Sequence, residues 1–288
     1  MANLQSLPIL LKELRLGAMA SAWQEVANKA IKEQWPPEEY LAELCEIEAH
    51  HRHETRLKRL LRDSQLPTGK QLSQYDFNEI TGISAQQIKQ KTHNLDWVRQ
   101  GHNVIVFGAS GLGKTHLAAS LGYALLEQSI RVKFTSSTAL VQQLQKSREA
   151  LGLEDALKKL DKYELLILDD IGYVKKSEVE SQVLFELIAH RYERGSLLIT
   201  SNQAFSEWDS IFGDNMMTVA AIDRLVHHAD IFQIEGDSYR KKQALKRNSK
   251  RPSYTSSYNK VKTKKHATCY LLPATCPVIS EAFNKSER

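Results

Sequence analysis

Gly108-Ala109-Ser110-Gly111-Leu112-Gly113-Lys114-Thr115 reads Gly-x-x-x-x-Gly-Lys-Thr, the spacing of a loop that wraps phosphate. An apolar run, Val104–Phe107, leads straight into it. A helix rich in Leu and Ala (Leu117, Ala118, Ala119, Leu121, Ala124, Leu125) leads straight out. That strand–loop–helix context is what gives the motif its meaning. Glycines bring backbone N–H groups close to an anion that a Cβ would keep away, and the helix N-terminus adds partial positive charge. Lys114 is placed to reach the β- and γ-phosphates, and the Thr115 hydroxyl to ligate Mg²⁺. The chain is therefore expected to bind a nucleoside triphosphate.

Working outward, Leu165–Leu168 forms a second apolar strand that ends in Asp169-Asp170. Carboxylates at the C-terminal edge of a buried strand stand where ligands bind in open α/β sheets. Asp169 is expected to hold Mg²⁺ and Asp170 to polarise an attacking water. Leu197–Thr200 ends in Ser201-Asn202, where an amide can orient that water or simply cap the next helix. With Val132–Thr135 and Ile231–Ile234 the count reaches five strands separated by helical stretches. This predicts an α/β fold with a mostly parallel sheet between helices over residues 103–248. Arg224 and Arg240, on either side of the last strand, are candidates to neutralise charge on a γ-phosphate. From spacing alone, neither differs from a surface arginine.

Residues 1–66 read as a small all-helical N-terminal domain. Leu7, Leu10, Leu11 and Leu14 recur at helical spacing, and Pro36-Pro37-Glu38-Glu39 marks a helix start. That helix carries Leu41, Leu44 and Cys45, then turns basic at Arg52, Arg56, Lys58, Arg59 and Arg62. His50, His51 and His53 lack a completing ligand set, so a solvated or DNA-facing helix is expected there rather than a metal site. Leu57, Leu60 and Leu61 read as its core stripe. Residues 67–102 form a linker after Leu66-Pro67-Thr68-Gly69, followed by a bridging helix over Ser84–Val98. The aromatic residues of Tyr75-Asp76-Phe77 either flank a base or pack the segment onto the sheet, and packing is the simpler expectation.

The 288 residues, 42% hydrophobic, suffice for one substantial core and a smaller domain. No run approaches a membrane span and no signal peptide is evident, so no membrane partner is expected. Three scattered cysteines suit a reduced, cytoplasmic protein. The net charge of +5 conceals an asymmetry: Arg240 to Lys265 holds eleven Lys and Arg and no acid, and removing them leaves 28 basic against 34 acidic residues. Such local basicity, including Lys241 and Lys242, suits either a nucleic-acid contact or a solvated tail. Residues 249–288, with no periodicity, read as a basic extension of low order.

Taken together these pieces resemble the AAA+ ATPases, in particular the DnaC-like branch and its IstB-type helper ATPases of insertion sequences. The likeness spans roughly residues 7–247. It rests on Leu11–Met19, Tyr75-Asp76-Phe77, Gly108–Leu117 with His116 after the loop, Asp169–Tyr173, Leu198–Asn202, Asp223-Arg224-Leu225 and Gly236–Arg240. The resemblance implies a P-loop AAA+ core in which residues 108–116 bind ATP. It implies Asn202 as first sensor, Arg224 as a finger reaching a neighbouring subunit's site, and Arg240 as second sensor. It further implies self-oligomers on double-stranded DNA, ATP hydrolysis stimulated by that assembly, and recruitment of a transposase encoded nearby. AAA+ proteins commonly carry Glu where this chain has Asp170, one methylene shorter. Rival readings are a helicase loader, a P-loop small-molecule kinase and a non-hydrolysing adaptor. The two isolated arginines and the basic end favour a subunit-coupled DNA machine over a kinase.

Overall fold

The computed structural model describes residues 6–172, 177–212 and 215–239. The chain opens with three helices: α1 (Leu7–Glu13), α2 (Gly17–Glu33) and α3 (Pro37–Ser64). Met19, Val26 and Leu44 are buried between them, with Leu11, Trp23, Tyr40 and Ile47 packed around. Glu48 of α3 caps α2 from a distance, accepting from the Ala18 and Met19 amides at 2.9 and 3.2 Å. A carboxylate at a helix N-terminus satisfies orphan amides and complements the dipole.

Further along α3, Leu57 and Leu60 pack against the sheet-side core. Leu61, expected in the same stripe, is 42% exposed. The buried stripe runs 57, 60, 64 at helical spacing, and Leu61 falls on its flank. The helix expected over Ser84–Val98 is two: α4 (Ala85–His93) and α5 (Asp96–Arg99). Ser84 and Gln87 form a capping box at the start of α4. Asn94 breaks the run by turning extended, its side chain accepting from the Asp96 amide at 2.9 Å.

The sheet has six strands: β1 (Ile80–Thr81), β2 (Asn103–Gly108), β3 (Val132–Ser136), β4 (Leu165–Asp169), β5 (Ser196–Ser201) and β6 (Ala229–Gly236). Their order is β1-β6-β2-β5-β4-β3. All neighbours are parallel except β1, which pairs antiparallel with β6. Sequence reading missed β1 because two residues carry no periodicity.

Alternation along the strands divides the core. Val104, Val106, Leu165, Ile167 and Leu198 face one side, with Leu117, Leu121 and Leu125 of α6 (Lys114–Glu127). Ile105, Phe107, Leu166, Leu168 and Ile199 face the other, against α7 (Ser137–Glu149), α9 (Glu178–Arg191) and α11 (Asn215–Val226). α8 (Leu153–Leu160) leads into β4, and α10 (Asp209–Phe212) precedes α11. Each fully buried aliphatic side chain contributes about 1.5–3 kcal/mol. This is an α/β fold with a helical N-terminus. Among the described residues, no helix is long and apolar enough to cross a membrane.

Arg191, at the end of α9, is 2% exposed. Its guanidinium donates to the carbonyls of Leu160, Tyr163, Glu164 and Ser196 at 3.0–3.2 Å. Burial pulls it down to about 10, which leaves it charged at neutral pH.

Candidate nucleotide site

The sheet delivers β2, β4 and β5 side by side, so their C-terminal ends share one edge. β2 neighbours β5 and β6, both of which follow it by long crossovers, and a ligand cleft opens at such a switch point. A cavity of about 800 Å³ lies there. Its lining includes Ser110 through His116, Asp170, Thr200 and Asn202, with Lys70, Tyr75, Asp237 and Tyr239.

Gly111 and Gly113 sit at φ 90 and 89, left-handed values that a side chain disfavours. A Cβ on Gly111 would meet the Ser238 hydroxyl at 2.3 Å, and one on Gly113 would meet the Tyr75 ring at 3.2 Å. The loop is thus held from two sides, and the Tyr239 amide donates to the Gly111 carbonyl at 3.0 Å. Lys114 folds over the loop and donates to the carbonyls of Gly108 and Ala109 at 2.7 and 3.0 Å. A polyphosphate bound in this loop would have to compete with those two carbonyls for the same ammonium.

Thr115 is the second residue of α6 and its hydroxyl donates to Asp169 Oδ2 at 3.0 Å, while the Thr200 hydroxyl donates to Asp169 Oδ1 at 2.7 Å. Burial pushes the Asp169 carboxyl up, the Thr200 and Thr115 hydrogen bonds oppose that, Asp170 adds to it and Lys114 opposes it. A hydroxyl beside a carboxylate offers oxygen donors only, the set that Mg²⁺ takes, so Thr115 and Asp169 fit that ion. Asp170 leaves the strand at φ 63, with its amide donating to Thr200 Oγ1 at 2.8 Å.

His116 Nε2 donates to the Gln71 carbonyl, 3.2 Å away, and the ring packs edge-on to Tyr75 with centroids 5.2 Å apart. Burial pushes its imidazole down, the Gln71 contact opposes that, and Lys70 adds to the lowering. Tyr75 packs as expected. It packs against the core and against Phe77, and it lines the cleft. Among the described residues its buried hydroxyl has no hydrogen-bond partner, and burial pushes the phenol up to about 12.

Arg224 stands apart from this cleft. It lies in a separate groove with Tyr192, Met216, Val219, Ala220 and Asp223. There it donates to the Ala220 carbonyl at 2.8 Å and lies over the Phe185 ring at 5.2 Å. Arg240, Lys241 and Lys242, and the 249–288 extension, lie outside the described residues, as does Tyr173.

On α3, Arg52, Arg56 and Arg59 fall at i, i+4, i+7 and line a groove together with Lys12 and Arg15. Lys58 and Arg62 point elsewhere, to Glu54 at 3.6 Å and Asp63 at 3.3 Å. His50 pairs with Glu54 at 3.3 Å. Sequence reasoning missed Lys12, Arg15 and Thr200. Thr200 left one signal, a hydroxyl ending an otherwise apolar strand. The α3 side of the basic groove was legible as a basic helix, but its completion by Lys12 and Arg15 was not, since those segments meet only in the fold.

A parallel sheet with this loop after its central strand, and acids on the strand one removed, defines a P-loop nucleotide-binding protein of AAA+ type. DnaA from Aquifex aeolicus, solved with AMPPCP, superposes with a TM-score of 0.50 at 18% identity over 64% of this chain and 56% of that one, a likeness of fold. The DnaC helicase loader superposes with a TM-score of 0.49 at 20% identity, over 58% and 98%.

The chain belongs to the IstB-like ATP-binding protein family, whose profile matches residues 9–247. It is 45% identical over 249 residues to an insertion sequence ATP-binding protein of Sinorhizobium fredii, covering 86% of this chain and 84% of that one. It is 33% identical to the ATP-binding protein of insertion sequence IS21 from Pseudomonas aeruginosa, covering 84% and 91%.

Proposed function

We propose that this chain binds ATP with Mg²⁺, hydrolyses it, and serves in the cytoplasm as a self-assembling factor on double-stranded DNA that controls a transposase. The observation that carries the enzymatic part is the convergence of Lys114, Thr115, Asp169, Asp170 and Asn202 at one strand edge. In this reading Lys114 exchanges its loop carbonyls for the terminal phosphates. Thr115 and Asp169 hold the metal, and Mg²⁺, when bound, neutralises charge on the phosphate oxygens. Asp170 accepts a hydrogen bond from the attacking water, and Asn202 orients it. Because Arg224 lies in its own groove beside Met216 and Val219, 83% and 67% exposed, it suits a role across a subunit boundary. Arg240 is assigned the second-sensor role by the family likeness alone.

The DNA part is supported by the Arg52, Arg56 and Arg59 stripe with Lys12 and Arg15, together with the basic run from Arg240 to Lys265. The transposition part is supported by relatives named for insertion sequences. The test uses the full chain with ATP, duplex DNA and the large recombinase encoded in the adjacent reading frame. Phosphate release should need Mg²⁺ and rise with DNA, and the recombinase should join the DNA complex only with ATP present. Each phosphate neutralised should add about 0.9 to the negative slope of log affinity against log salt. Absence of Mg²⁺-dependent hydrolysis with and without DNA refutes the ATPase reading. A neighbouring frame without a recombinase refutes the transposition reading.

A further inference from the structure

Thr200 is the residue before the end of β5 and is 1% exposed. Its hydroxyl donates to Asp169 Oδ1 at 2.7 Å and accepts from the Asp170 amide at 2.8 Å. Its carbonyl accepts from the Ile171 amide at 3.0 Å. One residue of β5 therefore grips three successive residues as they leave β4. The ladder explains how it reaches them. Leu168 pairs with Ile199 in the parallel register, so Thr200 stands beside Asp169, where regular pairing ends.

The grip acts on a bend that does not hold itself. Asp170 is left-handed at φ 63, a conformation that L-residues seldom adopt unaided. Anchoring its N–H fixes the direction in which the carboxylate leaves the strand. Asp169, meanwhile, is held on opposite oxygens by two hydroxyls, Thr200 on Oδ1 and Thr115 on Oδ2. The Thr115 side is the one where a cation would be held. The Thr200 side lies within the sheet and stays in place.

We propose that Thr200 is a positioning residue that orients Asp169 toward the metal and Asp170 toward water; this rests on the ATPase reading above. Only a hydroxyl donates to a carboxylate and accepts from an amide at a single atom. Valine reproduces the branched shape in the strand and can do neither. Ligand-orienting partners of this kind typically change metal affinity or activity by 10–100-fold when removed.

The test compares full-length Thr200→Val and Thr200→Ser with the parent chain. ATP affinity is measured in excess chelator and across a Mg²⁺ titration, alongside steady-state hydrolysis and the unfolding midpoint. In Thr200→Val, metal-free ATP affinity should stay within about twofold, while the Mg²⁺ needed for half-maximal effect rises about tenfold or more and kcat falls at least as far. Thr200→Ser should recover most of the Mg²⁺ response. A Val variant that loses only thermal stability and keeps the parental Mg²⁺ response overturns the proposal, as does a folded Ser variant that recovers nothing. Should the Val variant not fold, Thr200→Cys, with its weak hydrogen-bonding thiol, is read by the same criteria. A parent chain that binds ATP in a Mg²⁺-dependent way but never hydrolyses it refutes the ATPase reading alone. The Mg²⁺ dependence of ATP affinity then still decides the role of Thr200.

Discussion

Replacing Arg191 with Met should destabilise the chain by several kcal/mol through an effect remote from the cleft. The guanidinium holds the carbonyls of Leu160, Tyr163, Glu164 and Ser196. These lie at the end of α8, the entry to β4 and the start of β5. The strands whose exits carry Asp169 and Thr200 are thus tied together at their entries by one side chain. Hydrogen bonds to a charged group contribute about 1.5–3 kcal/mol each, so four set a ceiling of roughly 6–12 kcal/mol. Two carbonyls retain another donor: Leu160 from the Tyr163 amide and Glu164 from the Ser196 amide, both at 3.0 Å. Removing a buried cation also relieves its desolvation. The net loss should be about 3–5 kcal/mol, a large part of the ~5–15 kcal/mol by which folded proteins are stable.

Arg191→Lys keeps the charge, but an ammonium cannot span four acceptors held by a planar fork, so it should recover only part of the loss. Gly195→Ala probes the same contact from outside, because a Cβ there would lie 2.4 Å from Arg191 Nη2 and 2.6 Å from Cζ. Urea unfolding without nucleotide measures each variant, with an unchanged m-value required for the comparison. An Arg191→Met chain within about 1 kcal/mol of the parent at equal m would refute the reasoning.

Three further outcomes follow from the geometry. Asp170→Asn should bind ATP and Mg²⁺ yet hydrolyse at least about 100-fold more slowly; unchanged phosphate release removes Asp170 from the chemistry. Arg224→Ala should bind ATP almost normally and hydrolyse about a thousandfold more slowly or worse. Mixing it with Lys114→Ala should restore turnover above the sum of the two, whereas co-assembly without rescue argues against action across subunits. Burial alone would push the Glu48 carboxyl up, but Arg52 and the Met19 and Ala18 amides outweigh it and hold the group below its ordinary 4.5. Its stabilisation is therefore present above that value and is lost as pH falls through the folded one. Amide exchange at Ala18 and Met19 should accelerate in that acid window in the parent, and already at neutral pH in Glu48→Ala by about 1–3 kcal/mol of protection; equal protection at pH 7 would dismiss the cap.

What the sequence determined by itself was everything written in short-range spacing. The loop from Gly108 to Thr115 and the apolar strand ending in Asp169-Asp170 are contiguous, and their chemistry is legible because glycine, lysine and carboxylate have few alternatives at those positions. Alternating strands and helices likewise announced the parallel sheet, since five buried strands need covering on both faces.

The tertiary structure alone decided what depends on partners far along the chain. Thr200 meets Asp169 across 31 residues, Tyr75 meets Gly113 across the linker, and Arg15 joins Arg52 across 37. Sequence also could not show that Arg224 stays out of its own chain's cleft, or that Asn94 would break a helix and two residues of β1 would close the sheet edge. Hydrogen bonds and burial at such separations are created by strand order and helix packing, and no local pattern of residue types encodes them.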